Sequence, residues 1–518
     1  MSTQRANIDS FQDRGVKISS KQPERSAARE TFIRSPASEA TPSEMIHNLD
    51  TDEYVHKRKL RNACTNAYQV WGYVVGMVVA GHFSGFNRGY AYGLGSMIVA
   101  HILGSVFMIA FSMKLTELVT AIPFVGGFTT YAALVFNEDI ACVVGYVYAL
   151  YLLLAGAEST QFCSNVLQAL LSPTSNLVIL YYFLTLSLCI SINLYPKAFF
   201  NVITVTSFLS CALVIFSLLA AAKNFSYNDA FGTSYYDSNG LQQASSDFLP
   251  LGSYGVFASI PYALYLISGF ESLPYCVEET ADIATSIPKG MTAANLTIII
   301  VSWISLVVSA GMPPGVAGAI LTHVFKLSND QAVALISLPA AFSSQLATLY
   351  TSSRVIYGLS RGGYLPTILS LTSRTGAPYL AIATTSVIFC LFSIIFLFTL
   401  DAGSYLSLFV VATILLLIIY LVVPVAYILI KKRFPALNRP WRIESKSAAL
   451  FVATLSFGIA CAMLFGNVAF DYIWQWDLLW VLVALLCVSP VCYFVVRKCL
   501  KESPDRAYVS CLRGLWAA

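Results

Sequence analysis

The chain has 518 residues, of which 57% are apolar and only 11% charged, with a mean hydropathy of +0.68. A soluble domain carries roughly 25% charged residues, so this composition excludes a soluble enzyme or binding module and indicates a polytopic membrane protein. The formal charge of +4 comes from clusters on predicted loops and tails and gives no reason to expect a nucleic-acid partner.

Residues 1–62 are polar and rich in Ser, Lys and Arg, the composition of a disordered tail. No apolar core of the signal-peptide kind occurs there, so the first membrane segment is expected to begin the membrane domain. Apolar stretches long enough to cross roughly 30 Å of hydrocarbon, about 20 residues each, then follow one another. The first five are predicted at 66–92, 94–119, 139–167, 177–194 and 199–222. After a polar loop come 254–280, 291–311, 331–358, 379–398 and 404–430, and then 448–467 and 478–496. The expected organisation is therefore all-α with 12 transmembrane helices: a tail at 1–62, a core of ten spans at 63–430, two further helices within 431–498 and a second tail at 499–518.

Orientation follows from the placement of Lys and Arg. With both termini cytoplasmic, the inner side collects the N-terminal tail, Lys197, Lys289, Arg361, Arg374, Lys431-Lys432-Arg433, Arg497 and Lys498, whereas outer loops keep only Lys223 and Lys326. No sorting signal is recognised, so the plasma membrane is the expected location. Asn224, in Asn224-Phe225-Ser226 on a predicted outer loop, is the candidate glycosylation site. The 12 cysteines are scattered without a CxxC pair, so neither a disulfide framework nor a metal site is expected. Walker, HExxH and GxSxG patterns are absent, so the sequence shows no sign of ATP-driven transport, of a hydrolytic enzyme or of a cofactor.

Two predicted spans are interrupted. The first breaks at Gly81-His82-Phe83-Ser84-Gly85 and the sixth at Ser268-Gly269-Phe270-Glu271-Ser272. Backbone N–H and C=O groups freed inside hydrocarbon cost several kcal/mol each unless something satisfies them, so irregular backbone at that depth lines a cavity. Interrupted segments at corresponding places in two halves of a chain point to the central site of a secondary transporter. A half-helix beginning after Gly85 would aim its N–H groups at an anion, and carbonyls near Gly81, Ser268 and Gly269 would face an ammonium.

Ionisable residues inside the membrane are functional candidates by default. Glu271 could exchange a proton during the cycle and gate the site, or could be a hydrogen-bonded residue tying the sixth helix to a neighbour. Glu158 could favour a cationic substrate if it faces the cavity, or could sit solvated near the outer end. His82 could couple to protons near neutral pH or hydrogen-bond the broken backbone. Arg88 could pair with Glu158, bind a carboxylate, or extend to the interface. Phe83 and Phe270 could contact substrate or only pack.

Four motifs in order resemble the amino acid/polyamine/organocation permease superfamily. They are AGHFSGFNRG at the first break, Glu117-Leu118 followed by Pro123 to Tyr131, IPYALYLISGFESLPYCVEET continuing to Ser286-Ile287-Pro288-Lys289-Gly290, and Ser353-Arg354 through Pro366. The nearest branch is similar to the ethanolamine permeases, whose break reads GDFSGWN; here it is GHFSGFN, with His82 in place of Asp and Phe86 in place of Trp. The resemblance implies a leucine-transporter-type inverted repeat of spans 1–5 and 6–10. It also implies an aromatic lid at Tyr265 and an acidic residue at Glu271. Ser343 and Ser344 fall where sodium-coupled relatives supply hydroxyl ligands, with Thr348 nearby. Some proton-coupled relatives carry a lysine mid-way along the fifth helix, where this chain has none, Lys197 lying at its start.

These readings converge on a secondary active transporter that imports a small amine-bearing solute, an amino acid or ethanolamine-like compound, with a proton favoured over sodium. The alternatives are a polyamine or cationic amino acid carrier and a non-transporting nutrient sensor. The oligomeric state is left open.

Overall fold

The computed structural model describes residues 59–60, 64–83, 85–172, 177–222, 234–236, 242–244, 247–311, 328–399 and 402–469. The predicted tails, the span at 478–496, Ser84 and Asn224 lie outside the described residues, apart from residues 59 and 60.

The first predicted span becomes α1 (Ala67–Val78), a 3-10 turn (Val79–His82), the break, and a second 3-10 stretch (Phe86–Tyr92). Then come α2 (Leu94–Ala121), α3 (Gly127–Val135), α4 (Glu138–Leu171), α5 (Val178–Asn193) and α6 (Pro196–Ala221). The sixth predicted span is split into α7 (Gly252–Tyr265) and a 3-10 stretch (Phe270–Glu279). The remaining helices are α8 (Ile283–Ala310), α9 (Asn329–Arg361), α10 (Tyr379–Thr399), α11 (Ala402–Arg433) and α12 (Lys446–Ala469). Among the described residues, nine spans are long and apolar enough to cross a membrane, counting Gly252–Glu279 as one, and α5 is a shorter apolar helix.

Local chemistry sets several of the ends. Asn66 and Gln69 form a reciprocal capping box at the start of α1, and Ser328 and Gln331 do so for α9. Asn137 caps α4, whose first turn carries Glu138 and Asp139 against the positive dipole end. Pro196 opens α6, where its missing N–H would have no helical partner.

Three features depart from the sequence reading. Between the second and third predicted spans, the stretch from Pro123 runs into the short buried helix α3. The loop after α6 holds a small antiparallel pair, β1 (Ser234–Tyr236) and β2 (Gln242–Ala244), so the fold is not purely helical. The seventh span starts at Ile283 rather than 291: the Ser286-Ile287-Pro288-Lys289-Gly290 motif lies inside α8 and does not terminate the sixth. A proline this near a helix start forfeits only one internal hydrogen bond, so the helix runs through it.

At the centre α4 packs on α9, α1 lies against α6 and α8, and α7 lies against α2. Phe183, Phe208, Leu296, Leu391 and Phe398 project outward, as lipid-facing side chains do. The approach of α8 to α1 is close at Gly290, where a Cβ would lie 2.6 Å from the Val70 Cβ and 2.8 Å from the Ala67 carbonyl oxygen. Overpacking of this kind costs about 1–3 kcal/mol. Gly290→Val is therefore expected to lower the apparent melting temperature of detergent-purified protein, and an unchanged melting temperature would contradict this packing.

Candidate functional site

The two breaks cross each other. Gly81 lies so close to the backbone carbonyl of Tyr265 that a Cβ would collide with its oxygen. Gly269, at φ 123°, lies against the other side, where a Cβ would meet Met77 Cγ at 2.9 Å and Val78 Cγ2 at 3.0 Å. A side chain at Gly81 would therefore force the breaks apart, and one at Gly269 would also be strained by its backbone. Beyond the breaks both chains continue as 3-10 helix, ten residues long over Phe270–Glu279. Such runs rarely exceed three or four residues and mark functional or strained segments.

Burial sorts the candidate residues into two groups. Gly81, Gly269, Phe270 and Glu271 are buried, whereas His82, Phe83, Gly85, Tyr265, Ser268 and Glu158 are half-exposed. The Tyr265 ring stands 3.7 Å from where a Cβ on Gly85 would be, so it overhangs the first break. Its hydroxyl donates to Glu158 Oε1 at 2.7 Å. Glu158 thus faces the same place as the breaks and is held there by the tyrosine. Arg88 is exposed, and the ion pairs among the described residues do not include one between Arg88 and Glu158.

Glu271 is fully enclosed. Its Oε2 accepts from the Gly269 N–H at 2.8 Å and from the Tyr420 hydroxyl at 3.0 Å, and its Oε1 accepts from the Tyr151 hydroxyl at 3.3 Å. Phe270 stacks on Tyr420, and Phe111 packs against both rings. One carboxylate therefore ties the second break to α4 and α11. His82 bonds through Nδ1 to the Ser305 hydroxyl of α8 at 3.0 Å. The Gly269 carbonyl already accepts the Ser272 N–H at 3.1 Å, so it is less open to an ammonium than the sequence suggests.

Ser343 approaches α1, and a Cβ on Gly76 would lie 2.7 Å from its hydroxyl. It is 3.3 Å from Ser207 Oγ of α6, which donates to the Gly72 carbonyl at 2.7 Å. Ser207 escaped the sequence reading, which noted only the missing lysine of this helix. Ser344 is half-exposed, its carbonyl accepting from Thr348, whose hydroxyl also meets Met77 Sδ at 3.6 Å. Among the described residues, no group of His, Cys, Asp or Glu could hold a metal ion.

Charged residues close the basic end of the bundle. Arg354 Nη2 bonds Glu279 Oε1 at 3.2 Å with both side chains fully buried. The guanidinium lies 3.7 Å over the Tyr350 ring, and the Tyr350 hydroxyl donates to Glu279. Arg361 pairs with Glu278 at 3.1 Å, while Glu278 also accepts the Val125 N–H. Glu117 takes Lys431, Arg439 and the Tyr427 hydroxyl. The structure thereby joins motifs that the sequence shows apart: the paired glutamates meet the arginines at the end of α9, and Glu117 of α2 meets the basic run at the end of α11. Only their separation in the chain hid the pairing.

Residues 68–489 match the family described as "Amino acid permease", and the chain belongs to that family. It is a membrane transporter and not an enzyme. A Schizosaccharomyces pombe protein named "Probable amino-acid permease" is 24% identical over 354 residues, 61% of this chain and 69% of the relative. "L-asparagine permease 2" of Mycobacterium bovis is 26% identical over 306 residues, 55% of this chain and 60% of the relative. A "General amino acid permease" of Saccharomyces cerevisiae is 24% identical over 346 residues, 63% of this chain and 60% of the relative. The chain thus spans between 60% and 69% of the length of these relatives.

Removing one partner from a buried ion pair costs about 3–5 kcal/mol, whereas an apolar replacement of the whole pair is far less disruptive. Arg354→Met or Glu279→Leu alone should each sharply lower thermal stability in detergent. The double variant should recover part of that loss, and strict additivity of the two losses would show that the pair does not act as a unit.

Proposed function

We propose that the protein is a secondary active transporter importing a small amine-bearing solute, an amino acid first and an ethanolamine-like compound second, with a co-transported proton. The observation that carries this reading is the crossing of two interrupted helices. Gly81 meets the Tyr265 backbone and Gly269 meets the Met77 and Val78 side chains, while His82, Phe83, Gly85, Tyr265 and Ser268 remain half-exposed.

A zwitterionic amino acid suits this geometry. Its carboxylate would take the amide groups that follow Gly85, and its ammonium would lie towards the carbonyls near Gly81 and Ser268, with Tyr265 as the lid. The relatives named for asparagine and for general amino acid transport support that class. Ethanolamine would use only the cationic half, and the GHFSGFN break is the feature that keeps it in view.

Alternating access follows from rocking one bundle of helices against the other around the fixed site. In this reading the repeats are spans 1–5 and 6–10, the termini and the basic end are cytoplasmic, and the protein works in the plasma membrane. Arg354–Glu279, Arg361–Glu278 and the stacking of Tyr350 on Phe199 at 4.0 Å are then the inner closure that rearranges for release. One charge moved through 100 mV supplies about 2.3 kcal/mol, enough for a roughly 50-fold solute gradient. Glu271 anchors the second break during this motion. The hydroxyls of Ser207, Ser343 and Ser344 are the candidate ligands should sodium replace the proton.

Reconstituted into liposomes, the full chain should accumulate at least one of asparagine, GABA and ethanolamine, and more strongly under an inward proton gradient than under a sodium gradient. Absence of uptake under either gradient would overturn the reading and favour a sensor, whose signalling should then depend on residues 1–60. A polyamine or cationic amino acid carrier is the second reading, favoured by Glu158 beside Tyr265. If it holds, Glu158→Gln should cut putrescine or lysine uptake several-fold more than asparagine uptake; equal effects on all three would reject it.

A further inference from the structure

The connection between α11 and α12, residues 434–445, joins the ends of two candidate spans, Val411–Arg433 and Lys446–Gly466, and so lies at a membrane surface. Over residues 432–446 four bases are exposed, Lys432, Arg433, Arg442 and Lys446, against one exposed acid, Glu444. A bias of Lys and Arg towards one end of a bundle is ordinary, because it orients the spans. The run Lys431-Lys432-Arg433 carried only that meaning in the sequence. Its surroundings in the structure add more.

The loop is pinned from within. Glu117 of α2 takes Lys431 and Arg439 as ion pairs and accepts the Ile443 N–H at 3.0 Å. Lys431 also donates to the Ile443 carbonyl at 3.3 Å, and Arg439 donates to the Leu437 and Phe434 carbonyls at 3.1 and 3.0 Å. Phe434 and Ile443 are buried. These two bases are therefore consumed by the fold, and the backbone between them is held in one shape. Lys432, Arg442 and Lys446 take no part in that network and have no ion pair among the described residues.

Helix register turns two of the three towards the bilayer. Residues three and four apart share a helix face. Lys446 thus begins the exposed stripe that continues through Leu450, Thr454 and Phe457 of α12, and Lys432 ends the half-exposed stripe of Leu421, Val425 and Ile428 on α11. Lysine stems at such positions lie along apolar surface while the amine reaches the headgroup layer. Trp441, half-exposed and packed on the core, stands next to Arg442, and an indole at this depth is an interfacial anchor.

We propose that the α11–α12 loop is a docking site for the headgroups of anionic phospholipids, with Lys432, Arg442 and Lys446 as the contacts. Clusters of about four to eight bases immediately outside a span attract such lipids. Arg433, bonded to the Val135 carbonyl, adds charge to the cluster, and Glu444 offsets part of it. Because Glu117 already fixes the loop, little further ordering is needed when a headgroup binds. The site is separate from the crossing of the breaks, and the inference does not depend on which solute is carried.

Full-length protein in phosphatidylcholine–detergent micelles should gain thermal stability when part of the phosphatidylcholine is replaced by phosphatidylserine, since a ligand of the folded state raises its apparent stability. The gain should shrink at high salt. Lys432→Gln/Arg442→Gln/Lys446→Gln should lose most of it, with affinity for the anionic lipid falling roughly fivefold per base removed. Each single substitution should lose part, which keeps the test open if the triple variant is unstable. Lys197→Gln/Lys289→Gln/Arg374→Gln removes as many exposed bases near other helix ends and should keep the gain. No gain from phosphatidylserine in the parent protein, or equal losses in the two triple variants, would overturn the proposal. So would an equal gain from inorganic phosphate in phosphatidylcholine alone, which would mark a site for soluble anions.

Discussion

Everything in the centre of this molecule depends on one backbone contact, the approach of Gly81 to the Tyr265 carbonyl. Interrupting a helix inside hydrocarbon strands amide and carbonyl groups, and only close protein neighbours or a polar cavity can satisfy them. Two interruptions placed against each other solve this together. Each break supplies a wall for the other, and the polar atoms left over face a shared space. Glycine at 81 and 269 permits that approach, and the buried carboxylate of Glu271, bonded to the Gly269 amide, Tyr151 and Tyr420, holds the second break in register with α4 and α11.

Charge is arranged by the same logic of full satisfaction. At the basic end the buried Glu279 has Arg354 and Tyr350, the buried Glu117 has Lys431, Arg439 and Tyr427, and the half-buried Glu278 has Arg361 and an amide. Such pairs add less stability than their number suggests, because desolvation offsets most of the attraction. They do specify which helices meet, and breaking them is costly, which suits surfaces that must stay shut in one state and part in another. The half-exposed face of the site has a sparser set, with Glu158 under Tyr265 and His82 on Ser305.

Among the described residues most of the spans were legible in the amino-acid sequence because length and hydropathy mark them, and both interruptions were legible because Gly, Ser and charge break an apolar run. Tyr265 and Glu158 were each visible singly, but their bond joins residues more than a hundred positions apart, which no local pattern encodes. The same holds for Arg354 with Glu279 and for Ser207 with Ser343. The start of α8 was misread because Pro288 signals a boundary in most helices and here lies within the opening turns.

The most direct test of the crossing as the substrate site is an experimental structure of the full chain with its transported solute bound. The account predicts solute density within hydrogen-bonding distance of the backbone at 81–85 and at 265–269, beneath the Tyr265 ring. Density elsewhere, with the two breaks packed closed and dry against each other, would show that they are structural and would contradict it.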